Sequence, residues 1–188
     1  YGASSAVSMS NLINSSGVIA ADVSGVGTAR YGCAAATYGV DKAIFGFGDG
    51  AKSMTNLVSN TGVISADVTG VGTGRTESDA AEYGDDKAIY AFGSTASKVS
   101  LSNLVSNSGV IASDTTGVGT ARNYIDGASY GGDKAIFAYG ATANTNLSNL
   151  VSNSGVVASD VTGVGTARYN AAACGYGGDK AAFAYGNA

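Results

Sequence analysis

Hydrophobic positions in this chain come in short runs that alternate with small or polar residues, and turn-forming residues close each run after a few positions. Between Lys42 and Phe47, Ala43, Phe45 and Phe47 alternate with Lys42, Ile44 and Gly46. That period of two puts aromatics on one face of a strand and small or aliphatic groups on the other. Both faces are then covered, as in a sheet packed between neighbouring sheets. The same grammar predicts a first strand over Cys33 to Tyr38, a turn at Gly39 to Asp41, a second strand over Lys42 to Phe47 and a third over Met54 to Ser59. A turn at Asn60 to Gly62 leads into a fourth strand over Val63 to Val68. No window carries sustained helical periodicity with caps, so the expected fold class is all-β.

This pattern recurs. The string beginning D-K-A starts at Asp41, Asp86, Asp133 and Asp179, spacings of 45, 47 and 46 residues. GVGTAR occupies Gly25 to Arg30, Gly117 to Arg122 and Gly163 to Arg168, with GVGTGR at Gly70 to Arg75. A dinucleotide fingerprint would need a third glycine where each copy has its Arg, and a cofactor loop has no reason to recur at a fixed period. From Met9, Met54, Leu101 and Leu147 to the next terminal aromatic the count is always 38, so length varies only in the loop before those residues. The chain therefore reads as a single domain, 1–188, of units near 1–46, 47–91, 92–138 and 139–184. Four-stranded units of this length, stacked by their faces, predict a β-propeller. Gly46, Ala91, Ala138 and Ala184 would receive an aromatic of a neighbouring sheet.

Composition narrows function more than fold. The chain has 29 Gly, no Pro, no His and no Trp, 45% hydrophobic residues and a net charge of −4. It can bury a core, and without a run of Lys or Arg it lacks the electrostatic footprint of a nucleic-acid partner. No apolar run is long enough for a membrane-spanning helix, so no membrane insertion is expected. Cys33 and Cys174 fall at different points of their repeats and read as small buried thiols rather than a disulfide framework.

The stretch Arg30 to Gly48, RYGCAAATYGVDKAIFGFG, resembles the kelch motif: an Arg, a small-residue inner strand, a turn, then an aliphatic and aromatic strand ending in glycine. The likeness covers all four units. It departs in having aromatic-Gly in place of a double glycine and no Trp in the fourth strand. Strings such as DKAIFGFG and TNLVSNTGV are also similar to near-identical repeats of aquatic bacterial and phage proteins. The kelch resemblance implies four blades of four antiparallel strands, with the ring closed by a split blade. Tyr1 to Val23 would supply strands three and four, and Ala171 to Gly186 strands one and two. A monomeric closed ring is expected, with a β-solenoid or an open, self-associating repeat array as the alternative.

In such a blade, the loop joining strands two and three and the loop entering strand one emerge on one face. The first varies in length: Ala3 to Ser8, Asp49 to Ser53, Ser94 to Ser100 and Ala141 to Asn146. The second varies in residues just after the repeated Arg: Tyr31 to Ala34, Thr76 to Asp79, Asn123 to Asp126 and Tyr169 to Ala172. Exposed loops drift wherever packing does not hold them, and the same concentration marks a binding face. Kelch propellers commonly engage partners through these two loop sets. Candidate contacts are Tyr31, Asp49, Lys52, Glu77, Asp79, Lys98, Tyr124, Asp126, Asn144, Tyr169 and Asn170, aromatic and polar groups suited to a glycan or a surface protein.

Arg30, Arg75, Arg122 and Arg168, one per blade, form a ring near the channel mouth in this reading, either holding an anion or bonded to loop carbonyls and to the recurring Asp22, Asp67, Asp114 and Asp160. Asp41, Asp86, Asp133 and Asp179 hold their turns through local backbone bonds. Chemistry has little support. Without His the usual general base and commonest metal ligand are absent, and no cofactor or metal is expected. Glu77 and Asp79 are a carboxylate pair present in one unit only, read as solvated strand-edge charge rather than a glycosidase dyad. The expectation is a non-enzymatic binding or adhesion module on a cell surface, secreted, or on a virion, with a purely structural appendage component as the rival.

Overall fold

The computed structural model describes residues 5–188; Tyr1 to Ser4, which include the first aromatic-Gly pair and the start of the first variable loop, lie outside the described residues. The described chain is all-β, twelve strands in four small antiparallel sheets. The first holds β1 (Ala34–Tyr38), β2 (Lys42–Gly46) and β3 (Thr55–Val58), and the second β4 (Asp79–Tyr83), β5 (Lys87–Ala91) and β6 (Ser102–Val105). β7 (Asp126–Tyr130), β8 (Lys134–Ala138), β9 (Leu147–Val151) and β10 (Val161–Thr162) make the third, and β11 (Ala172–Tyr176) with β12 (Lys180–Ala184) the fourth.

The hairpin joining the first two strands of each sheet closes on two consecutive left-handed residues, Gly39 and Val40 in the first (φ 59° and 73°). Such a turn matches the strand twist. Only the first of the two is glycine in every copy, so Val40 and Asp85 adopt a conformation that L side chains disfavour. Second and third strands pair in one register throughout, Phe45 opposite Asn56, Tyr90 opposite Asn103 and Phe137 opposite Asn149.

Where the pattern predicts a fourth strand there is mostly a pair of single bridges, Ile64 to Val58 and Val68 to Thr55, and only the third sheet extends this to β10. In the first sheet, side-chain bonds stand beside the remaining backbone pairs. The Asn56 amide donates to the Ser65 carbonyl (3.1 Å) and the Leu57 N–H to the Ser65 hydroxyl (3.0 Å).

The sheets stack through their first strands, β4 on β1, β7 on β4 and β11 on β7. Gly39, Gly84 and Gly131 N–H each donate to the carbonyl of the next unit's Asp86, Asp133 and Asp179 at 2.7 Å. The large-on-small fit is present: a Cβ on Gly46 would lie 2.8 Å from the Tyr90 ring, whose hydroxyl donates to the Ile44 carbonyl (3.2 Å). Ile44, Phe47 and Tyr90 build one core cluster, and Ile89, Phe92 and Phe137 the next. Each such side chain removed from water stabilises the stack by about 1.5–3 kcal/mol.

The expected joining of the two chain ends is not made. Among the described residues, Ser10 and Ile13 pair with Val23 and Ile19 of their own hairpin, and β12 pairs with β11 alone. The first hairpin instead lies one step further along the stack, with Leu12 against Gly62 as Leu57 lies against Gly109 and Leu104 against Gly155. The cysteines are also less enclosed than the pattern suggests. Cys33 is half-buried and Cys174 exposed, because no sheet covers the outer face of the first or last.

Candidate functional site

The two variable loop sets form one ridge along the stack. Thr76 bridges Ser94, Asn123 bridges Ala141 and Tyr169 bridges Asn187, tying the segment after each Arg to the loop after the second strand. Gly48, Gly93 and Gly140 N–H donate to the carbonyls of Arg75, Arg122 and Arg168 of the next unit (3.2, 3.0 and 2.9 Å). Length and sequence variation therefore sit on the edge opposite the invariant Gly-Asp turns.

Most of the candidate residues meet there in pairs. Asp49 N–H donates to the carbonyl of the exposed Tyr31 (2.9 Å), and the nearby Asp49 carboxylate raises the phenol's pKa. Glu77 accepts from the Asn123 amide and its carbonyl from the Tyr124 N–H (3.1 Å), and its carboxylate is the main cause of the upward pKa shift of Tyr124. Tyr124 and Tyr169 lie with ring centroids 5.9 Å apart, and Asn170 N–H donates to the Tyr124 carbonyl (3.2 Å). Lys98 spans to the Thr142 carbonyl of the next unit (3.2 Å), Asn144 is exposed in the adjoining loop, and Lys52 is half-buried. The residue two after each Arg is left-handed in every copy, Gly32, Glu77, Tyr124 and Asn170, a fixed kink that turns the variable side chains outward.

Two candidates do not join this ridge. Asp79 opens β4 and points into the stack, where its carboxylate accepts the Gly127 N–H (2.7 Å) and burial pushes its pKa up to about 6. Asp126 occupies the same place in β7 and is likewise raised by burial to about 6, with its buried Oδ2 unpartnered. Glu77 and Asp79 are thus engaged with different partners, Glu77 with Asn123 and Asp79 with the Gly127 N–H.

The four arginines each donate to backbone carbonyls within the fold. Arg75 and Arg122 are fully buried, with no access to an anion. Each guanidinium lies over the terminal aromatic of the preceding unit, Arg75 on Phe47, Arg122 on Phe92 and Arg168 on Tyr139, at 4.1, 4.2 and 3.7 Å. Arg122 also donates to the Tyr139 carbonyl (2.8 Å) and the Asn149 Oδ1 (2.6 Å), and lies 3.8 Å from Asp160. Burial pushes both Arg75 and Arg122 down to about 10, against the opposing pull of Asp114 and Asp160. Of the two expected positions for the acidic partner, in the arginine's own unit or the neighbouring one, it is the neighbouring unit's hairpin that supplies it, Asp114 for Arg75 and Asp160 for Arg122. Arg30 conforms to the same scheme with Asn56 and Asp67.

Reading the sequence alone missed the rest of this assembly. Thr28, Thr73 and Thr120 of the repeated string each bond Asp67, Asp114 and Asp160 through backbone N–H and hydroxyl, and the Asn at 56, 103 and 149 donates to the same carboxylates. For Asp67 the Thr28 bond is the main cause of its lowered pKa. The signal was present, since Asn stands at 11, 56, 103 and 149 in every copy. The glycines of the string are excluded volume: a Cβ on Gly70 or Gly117 would fall 2.0 or 1.8 Å from the carbonyl oxygen of Ser53 or Ser100. Turn aspartates bond outward as well, Asp41, Asp86 and Asp133 accepting from Asn60, Asn107 and Asn153 rather than only bracing their own turns.

No model of a known protein family matches the chain, and no curated protein matches it.

Proposed function

We propose that this protein is a non-enzymatic binding or adhesion module, built from kelch-like repeats, that engages a glycan or protein ligand along the loop ridge at a cell surface or on a virion. The observation that carries the reading is the contrast between copies: the residues that hold the stack repeat, whereas those along one edge differ and carry aromatic and polar groups at unit spacing. Tyr31 beside Asp49, and Tyr124 beside Glu77 and Tyr169, offer aromatic faces next to polar groups, a combination suited to polymeric ligands.

A glycan array and a panel of surface proteins test it. Binding is expected to fall at least tenfold in a Tyr124→Ala, Tyr169→Ala double variant and to be unchanged in Val110→Thr on the far edge. If the two variants bind equally, the ridge reading is wrong. A structural component of an appendage is the second reading, favoured by the uninterrupted stacking of one unit on the next. A closed four-bladed propeller would add to either reading a bond between Ser10 to Ile13 and β12 of one chain.

A further inference from the structure

The residue two after each Arg has the same left-handed backbone in all four copies, but not the same side chain. It is Gly32 (φ 63°), then Glu77 (57°), Tyr124 (51°) and Asn170 (49°). The first copy shows that the fold asks only for glycine there, and a Cβ at Gly32 would meet only the Thr76 hydroxyl, at 3.7 Å. Asn enters this region readily, whereas Glu and Tyr do so at a cost in stability. Phe47 and Phe92 are left-handed too, and there burial beneath an arginine offsets the strain. No such cover lies over the ridge: Tyr124 is 36% exposed, and Asn170 is exposed as well. Strain of this kind, without a core to hold it, marks a functional position.

The three side chains form one short row. Tyr124 N–H donates to the Glu77 carbonyl (3.1 Å) and Asn170 N–H to the Tyr124 carbonyl (3.2 Å), so the kinks stack backbone on backbone. Backbones bonded side by side stand about 4.8 Å apart, which makes the row about 10 Å from Glu77 to Asn170, the length of a disaccharide. The Tyr169 ring flanks it, tilted 50° to that of Tyr124. Asn123, only 7% exposed, donates its amide to the Glu77 carboxylate and holds it beside the Tyr124 phenol. The bridges from Thr76 to Ser94 and from Asn123 to Ala141 brace the backbone just before each kink. The surface is thus formed in advance, and a ligand meets little ordering cost.

Its chemistry selects among ligands. An aromatic face takes the C–H face of a pyranose ring, and a carboxylate and an amide on either side of it take hydroxyls. An acidic chain is disfavoured, because Glu77 repels it and the arginine two residues before each kink is turned into the fold. Arg75 and Arg122 are fully buried, and Arg168 donates to the Thr166 and Phe183 carbonyls. We infer that Glu77, Tyr124 and Asn170, with the Tyr169 ring beside them, are a subsite for a neutral oligosaccharide lying along the stack. One sugar rests on Tyr124, and its hydroxyls bond Glu77 and Asn170. The inference rests on the reading of the ridge as a binding surface and adds which part of it binds and what class of ligand it takes.

Isothermal titration calorimetry tests it, with neutral hexasaccharides of glucose, mannose and N-acetylglucosamine and with a hexauronate as the acidic counterpart. At least one neutral chain is expected to bind the wild type, and the hexauronate to bind at least tenfold more weakly. Tyr124→Gly keeps the kink and removes the ring; it is expected to weaken binding at least tenfold while its Tm stays close to that of the wild type. Glu77→Gly is expected to weaken binding at least threefold, and Val110→Thr not at all. Tighter binding of the hexauronate overturns the inference, and so does binding of no neutral chain, which leaves the ridge reading to the panel of surface proteins. A Tyr124→Gly chain that melts far below the wild type also overturns it, since the ring would then be serving the fold. If Tyr124→Gly binds as the wild type does while Tyr31→Ala loses binding, the inference fails and the ridge reading stands. If none of these ridge variants changes binding, both fail.

Discussion

Arg122 and Arg168 stand in the same six-residue string, yet one is fully buried with Asn149 and Asp160 beside it and the other is partly exposed and lacks both. β9 and its hairpin surround Arg122, and no described residue takes their place beside Arg168. A repeated motif thus fixes which bonds a residue can make, while its burial, charge state and energetic weight come from the neighbour that the next repeat provides. The same holds for the aromatic of the second strand, buried as Tyr90 and Phe137 and 40% exposed as Phe45.

Substitution at the two arginines should separate them most. Arg122→Ala removes the cation over Phe92 and leaves buried acceptors at Asn149 and Tyr139, a loss of about 4 kcal/mol. Arg168→Ala in dilute solution should cost about 1 kcal/mol, since its bonds are fewer and partly solvated. Chemical unfolding of both variants checks this, and equal losses would mean that the completing hairpin contributes nothing.

The second glycine of the string should behave similarly with a smaller spread. A Cβ at Gly119 would lie 2.6 Å from Asn149 Nδ2 and 2.7 Å from Asp160 Oδ1, so Gly119→Ala must displace a bonded network, at about 3 kcal/mol. At Gly165 the first atom met is the Tyr139 hydroxyl, at 2.8 Å, the far end of a side chain. Gly165→Ala is expected to cost less than about 1 kcal/mol in the same experiment.

A third comparison sets Asp79 against Ala34, its counterpart in the outer sheet. Burial raises the folded pKa of Asp79 to about 6, above the unfolded value of about 3.9, so the folded state holds the proton more tightly. Its contribution to stability is full below about pH 4, falls as pH rises toward 6 and is constant beyond. Asp79→Asn keeps an acceptor for the Gly127 N–H and carries no charge. It should be more stable than the wild type by about 2 kcal/mol at pH 7.5, with the gap closing by pH 4. A gap that does not change with pH would show that ionisation of Asp79 is not its cause. Subtracting the two curves isolates this group from Asp67, Asp114 and Asp160, whose lowered pKa values act with the opposite sign.

The strands and their order were legible because the period-two alternation of Ala43 to Phe47 and the turn residues around it are local signals. The expected first strand over Cys33 to Tyr38 and the observed Ala34–Tyr38 differ by a single residue. The fourth strand was less legible: its residues meet the third strand mostly at single bridges, and only Val161–Thr162 extends to a strand. In the ridge, variation between copies marked where exposed residues would gather, and Tyr31, Asp49, Glu77 and Tyr124 lie along one edge. It could not separate Asp79 and Asp126 from them. Whether a residue just after a left-handed kink points out or in is decided by the next sheet.

By itself, then, the sequence determined the unit: all-β, antiparallel, about 46 residues long, with small residues placed to receive aromatics and an Arg, Asn and Asp in fixed relation. These features come from alternation, turn chemistry and repetition, each readable without a partner. Tertiary structure alone decided that Arg75 and Arg122 are buried over an aromatic of the preceding unit, that burial raises the pKa of Asp79 and Asp126 to about 6, and that the first hairpin and β12 form no strand pair with each other among the described residues. All three depend on which surface lies opposite, and identical repeats leave that open until the stack is built.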